Sequence, residues 1–267
     1  MEVSKKNNFQ IVAESLLLYH QHNDLFADQI VSEKMGIPSE EIRQKIKEWF
    51  HQPVEKVISI LDPVIIRRRI SKTISLLNKP GKQNSPVQIV AMNSDNVNLS
   101  ERKLILRFQF NETPFGNVLI ASSGKGVCYL GFADKGSDAA MIKLKERFPE
   151  ALLLEEKDNY QKEALSAFDV NTYDGHIVHL HLKGTPFQIS TWKKLLQIPS
   201  GGLLSYSALT DDKKYSHAMG NAVGSNPVAF LIPCHRTVPA TGEFGEYHWG
   251  KARKSALICM EAIRNPL

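Results

Sequence analysis

The chain has 267 residues, a net charge of +5, 42% hydrophobic and 23% charged residues, the make-up of a folded globular protein with one large core or two smaller ones. No apolar run reaches the ~18–20 residues of a membrane span, and the opening "MEVSKKNNFQIVAESLLLYH" has an early acid and no small-residue cleavage site, which argues against a secretory signal. Three cysteines, Cys128, Cys234 and Cys259, lie far apart with no Cys-x-x-Cys pair, which excludes a disulfide framework and a cysteine-zinc site and points to a reduced, cytoplasmic chain.

Residues 9–77 read as helical. "NNFQIVAESLLLYHQHN" places Ile11, Ser15 and Leu18 at helix spacing. "KMGIPSEEIRQKIKEWF" then breaks at a glycine and resumes, with Ser39 in N-cap position and Ile42, Ile46 and Trp49 on one stripe. Helix, glycine turn and second helix over 27–50 read as a helix-turn-helix, and equally as part of a plain bundle. A later helix carries "RRRISKTISLL" with Arg67, Arg68 and Arg69 at its start. Residues 78–100 are rich in Asn, Pro, Gly and Ser and mark a boundary.

Beyond it, "KLILRFQF", "GNVLIASS" and "GVCYLGF" predict an antiparallel meander. "DAAMIKLKERF" and "NYQKEALSAF" predict helices, and "GHIVHLHL" a strand. His179 and His181 share a face of that strand with His176 nearby, but no third ligand is evident, so an edge or solvent-facing strand is expected rather than a metal site. "GKGVCYLG" runs into a strand and not a helix, so it is no phosphate loop. Cys259, beside Leu257 and Ile258, reads as core.

Charge is uneven: +2 over 1–80, −1 over 81–170 and +4 over 171–267. The most basic third holds "IPCHRTVPATGEFGEYHWG", which hints at a phosphate-bearing partner. Here Pro233 fixes the backbone before Cys234, and His235 follows. A thiol attacks as thiolate and needs a base, which in turn needs an orienting acceptor. Glu261, on the helix "KARKSALICMEA", can fold back to serve. A Cys-His pair alone is more often a buried thiol beside a surface histidine, so these residues leave both readings open.

The flanks go further. "GTPFQISTWKKLLQIPSGGLLSYSAL", "HAMGNAVGSNPVAFLIPCHRTV" and "GEFGEYHWGKARKSALICMEA" together resemble the O6-alkylguanine-DNA alkyltransferase family almost without a break from Gly184 to Ala262. "RFQFNETPFGNVLIASSGKGVCYLGFADKG" resembles that family's N-terminal subdomain, and the helical front resembles one AraC-type helix-turn-helix, the combination of the Ada type. The resemblance implies an α+β, multi-domain chain. Residues 1–80 form a degenerate AraC-like domain and 81–100 a linker. Residues 101–183 form a ribonuclease H-like β-rich subdomain, and 184–267 a winged helix-turn-helix-like domain that binds DNA and holds the site.

By the same resemblance Cys234 accepts the alkyl group from O6 of guanine, while His235, Glu261 and a water relay the thiol proton. Asn226 braces the site and Tyr206 donates to the departing guanine. Gly245 and Tyr247 wall the base pocket, and Arg236 belongs with the DNA-contacting residues. The base must be flipped out, and the helix "KKYSHAMGNAVGSN" would lie in the minor groove with Ala218 and Gly220 admitting the backbone. Small residues of a tightly packed core helix are the competing explanation. His217 falls where the family inserts an arginine, and the turn before it is three residues short, which puts duplex processing in question. No second AraC-type unit is legible beyond a remnant in 78–93, and no cysteine-rich zinc domain precedes Cys128. The expected activity is single-turnover repair without cofactor by a monomer acting on duplex DNA carrying O6-alkylguanine, O4-alkylthymine being a further possible substrate. The competing readings are a non-catalytic sensor or DNA-binding regulator, and a thiol hydrolase.

Overall fold

The computed structural model describes residues 7–22, 27–79, 85–92, 104–169, 175–210 and 215–267. Its front is helical: α1 (Asn8–Gln21), α2 (Ala27–Met35), α3 (Ser39–Phe50), α4 (Val54–Ser59) and α5 (Pro63–Leu77). Then come β1 (Val87–Ala91), β2 (Ile105–Asn111), β3 (Val118–Ser123), β4 (Gly126–Phe132), α6 (Ser137–Arg147), β5 (Leu152–Glu155), α7 (Asn159–Ser166) and β6 (Val178–Leu182). The last part holds α8 (Pro186–Leu195), β7 (Leu204–Ser205), α9 (Ser216–Gly224), β8 (Thr237–Val238) and α10 (Lys251–Arg264). The class is mixed α and β, with a helical part and a six-stranded sheet.

Two compact units divide the chain, and neither is one continuous run. The first comprises Met1–Gly81, Ile198–Met219 and His235–Leu267; the second comprises Lys82–Gln197 and Gly220–Cys234. The chain therefore passes from one unit to the other within α9, and again at the Cys234–His235 peptide bond.

In the first unit local chemistry sets the helix ends. Asn7 and Gln10 close a capping box on α1. Gly36, at φ +65°, follows α2, and His51, at φ +52°, ends α3. Asp62 caps α5 through the Val64 amide, with Pro63 in the first turn. At α3 the cap position belongs to Pro38, and no side chain caps the helix. Ser39 is thus its first residue and not its N-cap. Ile42 and Ile46 are buried as the stripe predicted, joined by Phe50, while Trp49 is half-buried.

From Arg253 to Ala262 every residue of α10 is buried. A helix buried all round must be sheathed by other elements, and α1 runs along one side of it. Arg69 of α5 donates to the carbonyls of Gly201 and Ala262, Thr73 accepts from the Leu203 amide, and Cys259 Sγ lies 3.7 Å from the Val57 carbonyl. The front helices and the C-terminal helix share one core.

The second unit is built on a sheet of order β1-β6-β4-β3-β2-β5. The predicted meander exists as β2-β3-β4, but β1 pairs parallel with β6, β6 with β4, and β2 with β5, so the sheet is mixed. β1 lies inside the stretch 81–100 expected to be linker, half-buried and exposed residues alternating along it; residues 81–84 and 93–100 of that stretch lie outside the described residues. β6 is no edge: β1 and β4 flank it, and His181 is buried with its Nδ1 2.7 Å from Ser123 Oγ. His176 bonds Ser166 and the Glu163 carbonyl instead, and no group of three potential metal ligands occurs among the described residues. β3 and β4 are buried along their whole length; β4 is an unbroken run without charged residues, while β3 ends in Ser122 and Ser123, which are hydrogen-bonded inside.

Candidate active site

Cys234 follows a loop stitched into the middle of the sheet. The Leu130 amide of β4 donates to the Pro227 carbonyl at 2.9 Å, and the Ala229 amide returns a bond to the Leu130 carbonyl at 2.8 Å. Phe230 has φ +68°, a costly conformation for an aromatic residue that persists only where its surroundings over-determine it. Its ring stacks on Phe168 at 4.4 Å and packs near Phe115 at 5.4 Å, which supplies that constraint. Asn226 closes the loop from within. Its Oδ1 accepts the Val228 amide at 3.0 Å, and its Nδ2 donates to the Ile232 carbonyl at 2.9 Å and to Cys234 Sγ at 3.0 Å. The Asn226 amide, expected to brace the site, thus lies at the Cys234 sulfur. Burial pushes the Cys128 and Cys259 thiols well above their ordinary range, which disfavours their thiolates.

In the first unit His235 is fully buried, and its Nε2 lies 2.9 Å from Glu261 Oε1. A carboxylate only accepts, so Nε2 carries the hydrogen and Nδ1 is the basic nitrogen. Arg236 grips the same carboxylate with two bonds, Nε to Oε2 and Nη2 to Oε1, both 2.9 Å, and gives Nη1 to the Ile198 carbonyl at 2.5 Å. The Gly201 amide adds a weaker donor to Oε2 at 3.3 Å. Arg236, expected among the DNA-contacting residues, thus turns its guanidinium inward and holds Glu261. The correction has a physical reason: a carboxylate buried beside a histidine needs a counter-charge, and the adjacent arginine provides a bidentate one.

Burial pushes the Glu261 pKa up, but Arg236 and His235 more than offset it and hold the group well below the usual carboxylate range. Burial pulls His235 below its ordinary value, and Glu261 only partly restores it. Burial, helped by Lys125, does the same to His181. For both histidines the unfolded chain takes up protons first, so stability present above about pH 6.5 is lost as pH falls through the depressed native values. The urea midpoint is expected to hold from pH 8 to 7 and to drop between pH 6.5 and 5. A midpoint flat across that interval would contradict the neutral, buried state of these rings.

The short parallel pair β7–β8 sets Leu204 against Thr237 and Ser205 against Val238, which brings Tyr206 to the loop after β8. Any Cβ on Gly245 would lie 3.2 Å from the Pro239 ring and 3.8 Å from the Tyr206 ring, so the glycine, Tyr206 and Pro239 meet. Lys254 was not anticipated. It is fully buried, donates Nζ to the Thr237 carbonyl at 2.7 Å, and stands 6.0 Å from the Tyr206 ring and 5.9 Å from the Tyr247 ring. A signal existed: Lys254 and Glu261 are seven residues apart, on one face of a helix.

On α9 His217 and Ala218 are exposed, Gly220 is half-buried, and Met219, Ala222 and Val223 are buried. Added Cβ atoms at Gly220 and Gly224 would meet nothing within 4 Å. Core packing therefore does not demand glycine at these two positions, whereas Ala222 is buried. Trp192 of α8 donates to the Ala222 carbonyl at 2.8 Å and seats the far end. Of the stretch from Tyr206 to His217, expected to be three residues short, residues 211–214 lie outside the described residues.

A cysteine on a clasped loop, followed directly by a carboxylate-oriented histidine, defines a protein built around a thiol nucleophile. Residues 186–263 match the family described as 6-O-methylguanine DNA methyltransferase, DNA binding domain. The inducible methylated-DNA--protein-cysteine methyltransferase of Bacillus subtilis is 31% identical over 150 residues, 54% of this chain and 84% of that one. The methylated-DNA--protein-cysteine methyltransferase of Methanosarcina acetivorans is 32% identical over 56% of this chain and 94% of its own. The bifunctional transcriptional activator/DNA repair enzyme Ada of Escherichia coli is 32% identical over 60% of this chain, which spans only 46% of Ada. The chain belongs to the methylated-DNA--protein-cysteine methyltransferase family.

Proposed function

We propose that this chain repairs DNA by moving an alkyl group from O6 of guanine to Cys234, once per molecule. The observation that carries the reading is the Asn226 donor at 3.0 Å from the Cys234 sulfur, within the stretch that matches the family. A donor aimed at sulfur favours its thiolate. The sulfur attacks the alkyl carbon in line; the S–C bond forms as the C–O6 bond breaks, and the electron pair leaves with the base. Tyr206 places a proton on the departing guanine, and the thiol proton passes through a water to His235 Nδ1, which Glu261 orients. Atoms and charge balance with no cofactor, and the thioether has no easy route back to thiolate.

The finer fold reading belongs with this function. Residues 184–267 act as a winged helix-turn-helix-like module, 101–183 as its ribonuclease H-like companion, and the front helices derive from an AraC-like domain. Duplex DNA is the partner, with the exposed side of α9 facing the minor groove so that His217 stands by the flipped base. We read the protein as a cytoplasmic monomer; among the described residues no helix is long and apolar enough to cross a membrane.

The test is the intact mass of the protein after incubation with a duplex containing O6-methylguanine, with a single-stranded substrate in parallel and peptide mapping afterwards. The expected result is a stoichiometric gain of one methylene confined to the Cys234 peptide. Gain on the single strand alone would locate a flipping deficit at His217. No gain on either would overturn the repair reading and leave a lesion sensor.

A further inference from the structure

The helix-turn-helix legible in the front half is a poor phosphate ligand. α2 and α3 carry five carboxylates against four cations, and Arg43 is already committed to Asp28 and Glu55. α5 is different. Its fifteen residues include no acid, and its exposed side presents Arg67, Arg68 and Lys72, while Arg69 turns into the core. This helix also adjoins the loop after β8. Arg67 Nη1 donates to the Thr241 carbonyl at 2.7 Å, and Gly242 sits so close to Pro63 that an added Cβ would be 2.4 Å from its carbonyl oxygen. Three residues on, Gly245 meets Tyr206. The neighbouring carboxylates are Asp62, spent on capping α5, and Glu243 on the loop, and Lys72 Nζ donates to an oxygen of Leu267 at 3.0 Å, which leaves Arg67 and Arg68 as the principal cations of this face.

We propose that the exposed side of α5, through Arg67 and Arg68 with Lys72 beside them, grips the phosphate backbone of the duplex whose alkylated base enters beside Tyr206. The inference rests on the repair reading for its choice of partner. It makes the front half part of the DNA-binding surface through a helix outside its helix-turn-helix, and it requires no sequence recognition, because phosphate contacts position without specifying.

The test uses the full chain and an unmodified duplex several turns long, in two unrelated sequences, with affinity followed by fluorescence anisotropy across a salt series. Each lost phosphate contact shallows the salt slope by about one. R67A/R68A is therefore expected to flatten it by about two and to weaken binding roughly tenfold at physiological salt, equally for both sequences. The pair R67K/R68K keeps the charge and is expected to restore most of both. An unaltered slope in R67A/R68A overturns the proposal. So does a loss that the lysine pair fails to rescue, which would mean that Arg67 matters only for holding Thr241. Failure of the repair reading looks different: the wild type would then show the steep slope but gain no alkyl group on Cys234.

Discussion

Replacing Glu261 with Gln is expected to lower single-turnover alkyl transfer on the order of 10³-fold and to cost about 3 kcal/mol of stability. The wild-type carboxylate faces donors on both oxygens: His235 Nε2 and Arg236 Nη2 on Oε1, Arg236 Nε and the Gly201 amide on Oε2. An amide cannot accept on both sides. With its NH2 at the Oε2 position it opposes two donors that cannot reverse. At the Oε1 position it opposes only Arg236 Nη2, and His235 can adapt by switching its hydrogen from Nε2 to Nδ1. That second arrangement is the cheaper one, and it removes the basic Nδ1 that the proton relay requires. Arg236 also keeps its charge in a largely buried place without the anion that held it. Mass-resolved transfer kinetics and a urea melt of E261Q read the two effects separately. A variant that transfers within a few-fold of the wild type would remove Glu261 and the tautomer from the mechanism.

Much of this site could be read before any coordinates, because its chemistry is local in sequence. Cysteine, histidine and the proline that fixes them are consecutive, Asn226 lies eight residues upstream, and the small residues of α9 stand in one run. Arg236 was misplaced for the opposite reason. Whether an arginine beside a catalytic histidine points to a phosphate or to an internal carboxylate depends on where α10 returns, which no local pattern states. Phe230 is similar: its positive φ comes from Phe168 and Phe115, both far away in the chain. In the sheet, runs of β-branched and aromatic residues between Asn/Gly turns located the antiparallel strands, but the outer neighbours of β2 and β4 are set by parallel pairings across long connections. β1 escaped notice because five alternating residues between polar flanks look like linker. The front helices were legible one by one from their apolar spacing. What they cover was not legible, since a helix displays the width of its apolar stripe and never the identity of its partner.

That hidden partner gives the second large effect. Deleting residues 1–80 is expected to yield a chain that aggregates or lacks cooperative melting and gains no alkyl group at Cys234. A front half that only carried a DNA-reading module could be removed without harm, and this one shares a core with the site. Its loss would uncover the α10 side now packed on α1, including Arg253, whose guanidinium stands 5.7 Å from the Phe9 ring. The buried Leu203 amide would lose Thr73, and the carbonyls of Gly201 and Ala262 would lose Arg69. One such buried group left unpaired costs roughly 1–3 kcal/mol, so several together, with the exposed apolar surface, consume most of the ~5–15 kcal/mol that holds a domain folded. Glu261 sits on the same helix and takes its fourth hydrogen bond from Gly201, so the damage reaches the proton relay directly. The measurement is a thermal melt of the truncated chain with its transfer yield on an O6-methylguanine duplex. A soluble fragment with a single sharp transition and full yield would show that the front helices are an appendage, and that α10 finds its cover elsewhere.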